Sequence, residues 1–229
     1  MPRASQRTVM GPLQVRELSR AFEIGAHTLD HVRIDRCTDE GASCQLAGSR
    51  EWIEGVTGKR CHVFCFPGGK FRTTQLRLVR EAGFQGARTV ELLSIAEPRS
   101  VAGVQLISTT IHAFPHRRFA YFKNAVKRVA FGHVVPLAAA LHAGDWVALA
   151  KQLLLQTIQR GGVFHLWGHS WEIEQQKQWK NLEELLRTIS TWRHSFKAVT
   201  NSELCQACGL VEARCQFEES ENRAQAGRA

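Results

Sequence analysis

Short apolar runs typical of β-strands alternate along this chain with longer segments whose apolar residues recur at helical spacing. The run His62–Phe66 predicts a buried strand, and the pattern over Thr74–Ala82 predicts the helix that follows it. In the second half, the amphipathic segment Asp145–Ile158 leads into the apolar run Val163–Trp167. Alternation of this kind is typical of βα units arranged around a parallel sheet or barrel. We therefore expect an α/β fold.

The composition of the 229 residues allows such a fold, because 44% of them are hydrophobic and 22% are charged. Those fractions exclude a collagen-like chain and a wholly disordered one. The longest apolar stretch, Val134–Leu141, contains Pro136 and is far shorter than the ~20 residues that cross a bilayer. The sequence thus predicts no membrane span.

Basic residues outnumber acidic ones by 30 to 21, which gives a formal net charge of +9. This surplus favours anionic partners such as nucleic acid, phospholipid or acidic polysaccharide without selecting one of them. Residues 1–10 contain Arg3 and Arg7 but no apolar block, so they do not resemble a signal peptide. The seven cysteines, an odd number, suit reduced thiols better than a disulfide framework. We expect a cytoplasmic protein.

The first chemical motif is His27-Thr-Leu-Asp-His31, which follows a predicted strand at Phe22–Ala26. Histidines four residues apart lie on one side of a helical turn, where neutral ring nitrogens can bind one divalent cation. Two loop histidines are also common surface residues, so the pair alone leaves both interpretations open.

Two further motifs follow predicted strands. Phe64-Cys65-Phe66-Pro67-Gly68-Gly69 ends in a loop of the kind where barrels place their sites, or in a tight turn that needs glycine at positive φ. In the third motif, two histidines and two tryptophans emerge from one strand into one loop: His165, Trp167, His169 and Trp171. A buried histidine among aromatic rings is often a core residue, but near a metal it could have the pKa of a general acid.

Taken in order, these motifs resemble those of the NodB-homology polysaccharide deacetylases, carbohydrate esterase family four. The similarity runs from about Leu13 to Asn201, with Gly86-Ala87-Arg88 between the second and third motifs. The resemblance implies a distorted (β/α) barrel that removes N-acetyl groups from amino sugars. It also implies a divalent metal, usually zinc, as cofactor, and an N-acetylated oligo- or polysaccharide as substrate.

The resemblance further implies roles for individual residues. His27 and His31 would be the metal ligands, and His169, or else His165, would protonate the departing amine. Metal-activated water would attack the acetyl carbonyl. The substrate groove would be lined by residues of the second and third motifs: Pro67, Gly68, Gly69, Trp167 and Trp171.

The sequence departs from the family at the first family motif, a strand that ends in paired aspartates. Only 26 residues precede His27, and none of them is aspartate. We therefore expect an N-terminally incomplete barrel that lacks its first βα unit and its usual base. Two histidines without a carboxylate are one short of the three protein ligands usual for catalytic zinc. A start codon assigned too far downstream would explain the gap, and the true N-terminus could then carry an export signal.

A second departure is Cys65, which stands where many members of the family carry arginine. We expect Cys65 to be a packed strand residue and Arg88 to be the candidate for the missing positive charge. Among the nearby carboxylates, Asp30 is expected to point away from a metal and to cap or orient. Glu172 is expected either to polarise the ring of His169 or to lie in solvent.

We divide the chain into a deacetylase-like domain over 1–204 and a tail over 205–229, much of which is charged and expected to be disordered. Cys205, Cys208 and Cys215 provide only half of the pattern of a structural zinc site.

Two alternatives to an active enzyme stay open. One is a catalytically inactive, truncated remnant of the same fold. The other is a basic module that binds a polyanion through residues 116–128, a run rich in basic and aromatic side chains. No recognisable nucleic-acid fold accompanies that run, and we predict no nucleic-acid partner.

Overall fold

The structure, a computed structural model, describes residues 9–116 and 145–209. Over these residues it is a mixed α/β fold, which confirms the fold class predicted from the alternating pattern. Three features named above lie outside the described residues: the basic and aromatic run apart from its first residue, His116, the apolar stretch Val134–Leu141, and Cys215. None of the described helices has both the length and the hydropathy that crossing a membrane requires.

The described elements follow one another in the mixed order that the sequence predicted. The helices are α1 (Pro12–Leu18), α2 (Asp39–Thr57), α3 (Leu76–Glu81), α4 (Trp146–Arg160), α5 (Ser170–Gln175), α6 (Trp179–Thr191) and a further helix at residues 201–209. The strands are β1 (Val63–Cys65), β2 (Gly86–Arg88), β3 (Arg99–Val101), β4 (Val104–Ile107), β5 (Ile111–His112) and β6 (Leu166–Trp167). The strands are shorter than the predicted apolar runs.

The chain divides into two compact units. The first consists of Met1–Ala87 with two small additions, Val101–Val104 and Thr200–Ser202. The second consists of the remaining segments: Arg88–Ser100, Gln105–Val199 and Glu203–Ala229. The domain predicted over 1–204 therefore includes parts of both units.

The longest helix of the first unit, α2, is fixed at both ends by its sequence. The hydroxyl of Thr38 accepts a hydrogen bond from the N–H of Gly41, which satisfies one of the helix's unpaired donors. Gly58 adopts a φ of 69° and ends the helix in the left-handed conformation that glycine tolerates best. Between these ends, α2 buries residues that recur at helical spacing: Ala42, Leu46, Ser49 and Ile53.

Strand β1 positions the first histidine motif. The N–H of Ala26 donates to the carbonyl of Val63 at 2.9 Å, and the N–H of Cys65 donates to the carbonyl of Ala26 at 2.8 Å. These bonds make a single parallel bridge between Ala26 and Phe64. The strand predicted over Phe22–Ala26 is therefore reduced to one bridging residue. The histidine motif leaves the bridge directly beside the carboxyl end of β1.

The second unit is built around α4. Asp145 caps this helix by accepting a hydrogen bond from the N–H of Val147 at 2.8 Å. The buried face of α4 packs in an apolar core with residues from β5 and from helices α5 and α6. The largest contributions to that core come from Leu93, Ile111, Trp146, Leu149, Leu153, Ile173 and Leu185.

Strands β5 and β6 pair in parallel, so that Ile111 lies opposite Leu166 and His112 lies opposite Trp167. Because parallel strands run in the same direction, the loops that follow them leave from the same edge. Residues 113–116 and residues 168–172 therefore emerge side by side. This pairing brings the third histidine motif next to a segment 55 residues earlier in the chain.

Glu23 joins parts of the first unit that are far apart in sequence. Its carboxylate accepts hydrogen bonds from the N–H groups of Asn201 (2.8 Å) and Ser202 (3.0 Å), and from the Ser202 hydroxyl. These N–H groups begin the helix at 201–209, where helical partners are lacking. In that helix Cys205 is buried, so residues 205–209 of the predicted tail are ordered.

Candidate functional site

The structure brings His27 and His31 together, with ring centroids 4.9 Å apart and planes tilted by 58°. The predicted helical turn is wrong, however, because the motif is a loop in which Thr28 and His31 adopt positive φ angles of 63° and 54°. Such angles are uncommon for residues other than glycine and reverse the direction of the backbone. The rings therefore meet through a strained loop and not through helical periodicity.

A backbone hydrogen bond orients the first of these rings. Nδ1 of His27 donates to the carbonyl of Cys65, the last residue of β1, at 2.7 Å. This bond places the proton of a neutral ring on Nδ1 and leaves Nε2 with the lone pair that a metal ligand needs. Cys65 thus contributes its backbone carbonyl to the motif.

The carboxylates nearest in sequence to this pair have other partners. Asp30 accepts a hydrogen bond from Nε2 of Gln45 at 2.7 Å, while its N–H donates to Oε1 of the same side chain at 3.0 Å. This agrees with the expectation that Asp30 orients the loop. Asp35 accepts two hydrogen bonds from the guanidinium of Arg33, which hold the pKa of the Asp35 carboxyl below its usual range.

The Pro-Gly-Gly motif is a tight 3-10 turn over Pro67–Gly69 that follows β1 directly. Gly68 and Gly69 adopt φ angles of 63° and 64°, which favour glycine because it has no Cβ. Pro67 is buried, whereas Gly68 is exposed. The backbone is therefore the tight turn that was one of the two interpretations of this motif. Gly68 is exposed, so a ligand could approach the backbone there.

A second cluster lies in the second unit and links three imidazole rings to one carboxylate. Oε2 of Glu172, in the first turn of α5, lies 2.5 Å from Nδ1 of His169 and 3.1 Å from Nε2 of His112. Nδ1 of His112 lies 2.8 Å from Nε2 of His116. We call these four residues the His–Glu cluster.

Sequence reasoning missed His112 and His116. They contact each other four residues apart, but the carboxylate that completes the cluster, Glu172, lies 60 residues from His112 in the sequence. The sequence pattern that could have indicated them is Ile111-His-Ala-Phe-Pro-His116, in which an apolar residue is followed by two histidines four positions apart. Only the parallel pairing of β5 with β6 could have connected this segment to His169.

The hydrogen bonds of the His–Glu cluster fix its protons. Burial lowers the pKa of His112 to about 4, against the attraction of Glu172, so His112 is neutral near pH 7. Its single proton lies on Nε2, which donates to Glu172, and Nδ1 accepts from Nε2 of His116. His169 donates from Nδ1, so its other nitrogen, Nε2, is the atom that gains or loses a proton. A histidine held in this way by a carboxylate can serve as a general acid or base.

The two tryptophans of the third motif flank this cluster. The ring of Trp167 lies 3.9 Å from that of His112, measured between centroids, and 5.0 Å from that of His169. The ring of Trp171 lies 5.4 Å from that of His169. Both indoles are only partly buried, so His169 is near two aromatic rings that solvent reaches.

His165 and Arg88 have a different environment. Nδ1 of His165 is buried and has no hydrogen-bond partner within the described residues, and burial together with nearby Arg88 lowers the pKa of His165 to about 2. Arg88 itself is buried and donates to the carbonyl of Ser108 at 2.5 Å. Because His165 stays neutral near pH 7, His169 is the better candidate of the two for a general acid.

Among the described residues, one group of three histidine, cysteine or acidic side chains has its ligand atoms within 4.8 Å of one another. That group is His112, His169 and Glu172, and it does not include His27 or His31. The six described cysteines are free thiols. One of them, Cys61, is buried and has a pKa raised to about 11 by burial, which makes it unreactive near neutral pH.

Comparison with protein families supports this arrangement of motifs. The polysaccharide deacetylase family model matches residues 4–87, the segment that contains both the His27–His31 motif and the Pro-Gly-Gly turn. The resemblance to the polysaccharide deacetylases is confirmed. The match ends before Arg88 and the His–Glu cluster, so that cluster receives no support from the family model. No curated protein matches the sequence.

Solved structures show the same fold. A protein from Mycobacterium smegmatis described as a polysaccharide deacetylase aligns with a TM-score of 0.64 and 16% identity, covering 88% of this chain and 68% of its own. PuuE allantoinase aligns with a TM-score of 0.57 and 13% identity, covering 85% and 62%. A protein from Pseudomonas aeruginosa PAO1 described as a polysaccharide deacetylase aligns with a TM-score of 0.57 and 14% identity, covering 85% of this chain and 62% of its own. The chain thus spans about two thirds of the first neighbour and less than two thirds of the other two.

Proposed function

We propose that this chain is a metal-dependent deacetylase that hydrolyses the amide bonds of N-acetylated oligo- or polysaccharides. The observation that carries the proposal is the deacetylase family match over residues 4–87, within which the rings of His27 and His31 lie 4.9 Å apart. The proposed architecture is the distorted (β/α) barrel of that family.

The donors of the first unit suit a divalent cation such as zinc. His27 and His31 offer two imidazole nitrogens, and the carbonyl of Cys65 fixes the tautomer of His27 as an outer partner does in metal sites. The chemistry that a divalent metal supplies there is activation of water and polarisation of the acetyl carbonyl. The role of this chain's residues is to hold the two imidazole rings, with centroids 4.9 Å apart, in a loop fixed by β1.

Proton transfer is assigned to His169. Its Nδ1–H donates to Glu172, which orients the ring. Nε2 can then carry the proton that the departing amine needs, because an amine leaves far more readily once it is protonated. Glu172 acts through His169 as a positioning residue.

The surfaces assigned to the sugar are the exposed turn at Pro67–Gly69 in the first unit and the indoles of Trp167 and Trp171 in the second. A glycine turn lets a ligand approach the backbone closely. Partly exposed indoles offer broad apolar faces together with an N–H donor, which suits the mixed apolar and hydroxylated surface of a sugar ring.

The test is acetate release from N-acetylated chito-oligosaccharides by the zinc-loaded chain. The double variant His27→Asn/His31→Asn should lose at least about 100-fold in rate, because a metal contributes several kcal/mol to stabilising the transition state. The matched control is His194→Asn, which changes an exposed histidine outside both clusters and should keep full activity. Equal rates in the parent and the double variant would overturn the proposal.

The second candidate is a catalytically inactive member of the family. It is favoured by the donor count, since His27 and His31 belong to no group of three ligand atoms among the described residues. In that case the parent would release no acetate at any zinc concentration while remaining cooperatively folded. The same assay therefore separates the two candidates.

A further inference from the structure

The His–Glu cluster assembles ligand atoms from three different elements. His112 is the last residue of β5, His169 follows β6, and Glu172 lies in the first turn of α5. The parallel pairing of β5 with β6 and the short loop into α5 bring their ligand atoms within 4.8 Å of one another. Because each ligand sits on or next to a regular element, the triangle of atoms is preorganised.

The donor set is one that transition metals prefer. Two imidazole nitrogens and one carboxylate oxygen make the three-ligand set found in many zinc sites, with further positions left for water. Magnesium and calcium prefer sites made of oxygen atoms, so the set selects a borderline metal such as zinc or cobalt. The Glu172 side chain keeps 16% of its exposure and that of His169 keeps 42%, which gives a cation access from solvent.

The surroundings provide the outer support that metal ligands require. When Nε2 of His112 binds a cation, its proton moves to Nδ1, and the proton on Nε2 of His116 moves to Nδ1 of that ring, so that His112 then donates to His116 across the same 2.8 Å contact. A ligating histidine typically donates its other N–H to such a partner, which fixes its orientation. The Trp167 ring packs 3.9 Å from His112 by centroid and further restricts its rotation.

We propose that His112 Nε2, His169 Nδ1 and Glu172 Oε2 form a site for a zinc-like divalent cation, separate in its residues from the His27–His31 pair. The cation replaces the two N–H protons that now point at Glu172. Nδ1 of His169 cannot bind the cation and donate a hydrogen bond to Glu172 at the same time. A bound cation therefore removes the hydrogen bond that orients His169 as the proposed general acid. The binding itself does not depend on the proposed deacetylase activity.

The test isolates this site by using the full chain with His27→Asn/His31→Asn, stripped of metal and titrated with Co²⁺. The expected result is binding of one ion per chain, followed by calorimetry and by the visible absorption bands of cobalt held by nitrogen and oxygen ligands. Adding Glu172→Gln or His169→Asn should weaken binding by more than about 10-fold, the lower bound for losing even an outer partner. The matched control is Glu174→Gln, an exposed acid two residues along the same helix, which should bind as before.

The proposal is overturned if the double variant binds no cobalt, or if Glu172→Gln and Glu174→Gln bind it equally well. Each variant is first checked for cooperative thermal unfolding. Glu172→Gln preserves side-chain shape and His169 is partly exposed, so at least one variant should fold. Absence of acetate release from the zinc-loaded parent chain, together with cobalt binding as expected in the double variant, would count only against the proposed function.

Discussion

The His27–His31 pair and the His–Glu cluster both use histidine side chains, but different kinds of groups orient the rings in each. The pair lies in a loop with positive φ angles, and its orienting hydrogen bond comes from a backbone carbonyl of β1. The cluster lies at the edge of a buried core, and its orienting bonds come from a carboxylate and a further imidazole. One site is therefore fixed by backbone conformation and the other by side-chain charge.

This difference indicates which changes should affect the activity or stability that depends on each site. A site fixed by backbone conformation should be affected by changes in loop geometry and hardly by changes in nearby charge. A site fixed by a partly buried carboxylate responds to pH and to loss of any one partner, because the remaining polar groups are left unpaired. Variants that affect both sites alike would break the comparison.

The largest expected effect is that of His169→Asn on catalysis. If His169 is the general acid, kcat should fall by about 10²- to 10⁴-fold with little change in KM. The limb of the pH–rate profile that reports the acid should disappear with it. Acetate release is compared with that of His194→Asn. An unchanged pH profile would show that the His–Glu cluster takes no part in the reaction.

The next effect contrasts the stability of two matched variants, His112→Asn and His31→Asn. His112 is buried, and its loss removes one hydrogen-bond partner from Glu172 and one from His116, which should cost about 1–3 kcal/mol. His31 is exposed at a positive φ that asparagine tolerates, so its replacement should stay within about 0.5 kcal/mol. Urea unfolding measures both. A similar loss in the two variants would show that the pair is also held by its side chains.

The third effect is the dependence of stability on pH. Burial lowers the pKa of His112 from 6.5 to about 4, so between these values the unfolded chain binds more protons than the folded one. This contribution is complete above pH 6.5 and is lost as the pH falls to about 4. His116 and His165 also have pKa values lowered by burial, and they act in the same direction.

The check is urea unfolding at a series of pH values. His112→Asn should show a shallower loss of stability below pH 6.5 than the parent, without abolishing it. His31→Asn should follow the parent curve. Equal slopes in the parent and His112→Asn would contradict the assignment of this proton to the His–Glu cluster.

The smallest effect concerns the backbone of the first unit. Gly68 has a φ of 63°, so Gly68→Ala should destabilise the chain by about 1 kcal/mol. Gly55 lies inside α2 with open space around its missing Cβ, so Gly55→Ala should instead gain about 0.5 kcal/mol. Thermal unfolding distinguishes the two signs. If Gly68→Ala left the stability unchanged, the turn would have to accommodate the alanine without strain.

Much of the helical structure could be predicted from the sequence, because caps and apolar spacing act locally. Asp145 and the apolar face beginning at Trp146 define α4 within two residues of its observed start and end. Strands were overestimated, since their length depends on pairing with distant segments. Within the run Phe22–Ala26, only Ala26 forms a β-bridge. Within the run Val163–Trp167, only the last two residues form a paired strand.

The candidate sites divide in the same way. The pairing of His27 with His31 was predictable from spacing, although the loop that produces it was not, because positive φ angles at threonine and histidine have no clear sequence signal. The contact between His169 and Glu172 is local and was foreseen as one alternative. His112 and His116 were missed because only a long-range parallel pairing brings them to that carboxylate.

The bond between Glu23 and the start of the helix at 201–209 spans 178 residues of chain. During synthesis, this carboxylate emerges from the ribosome long before the groups it will bind. Closing so large a loop carries an entropic cost and slows the search for native contacts. The first unit therefore cannot reach its final state until residue 202 has been translated, and completing it should be a late event in folding.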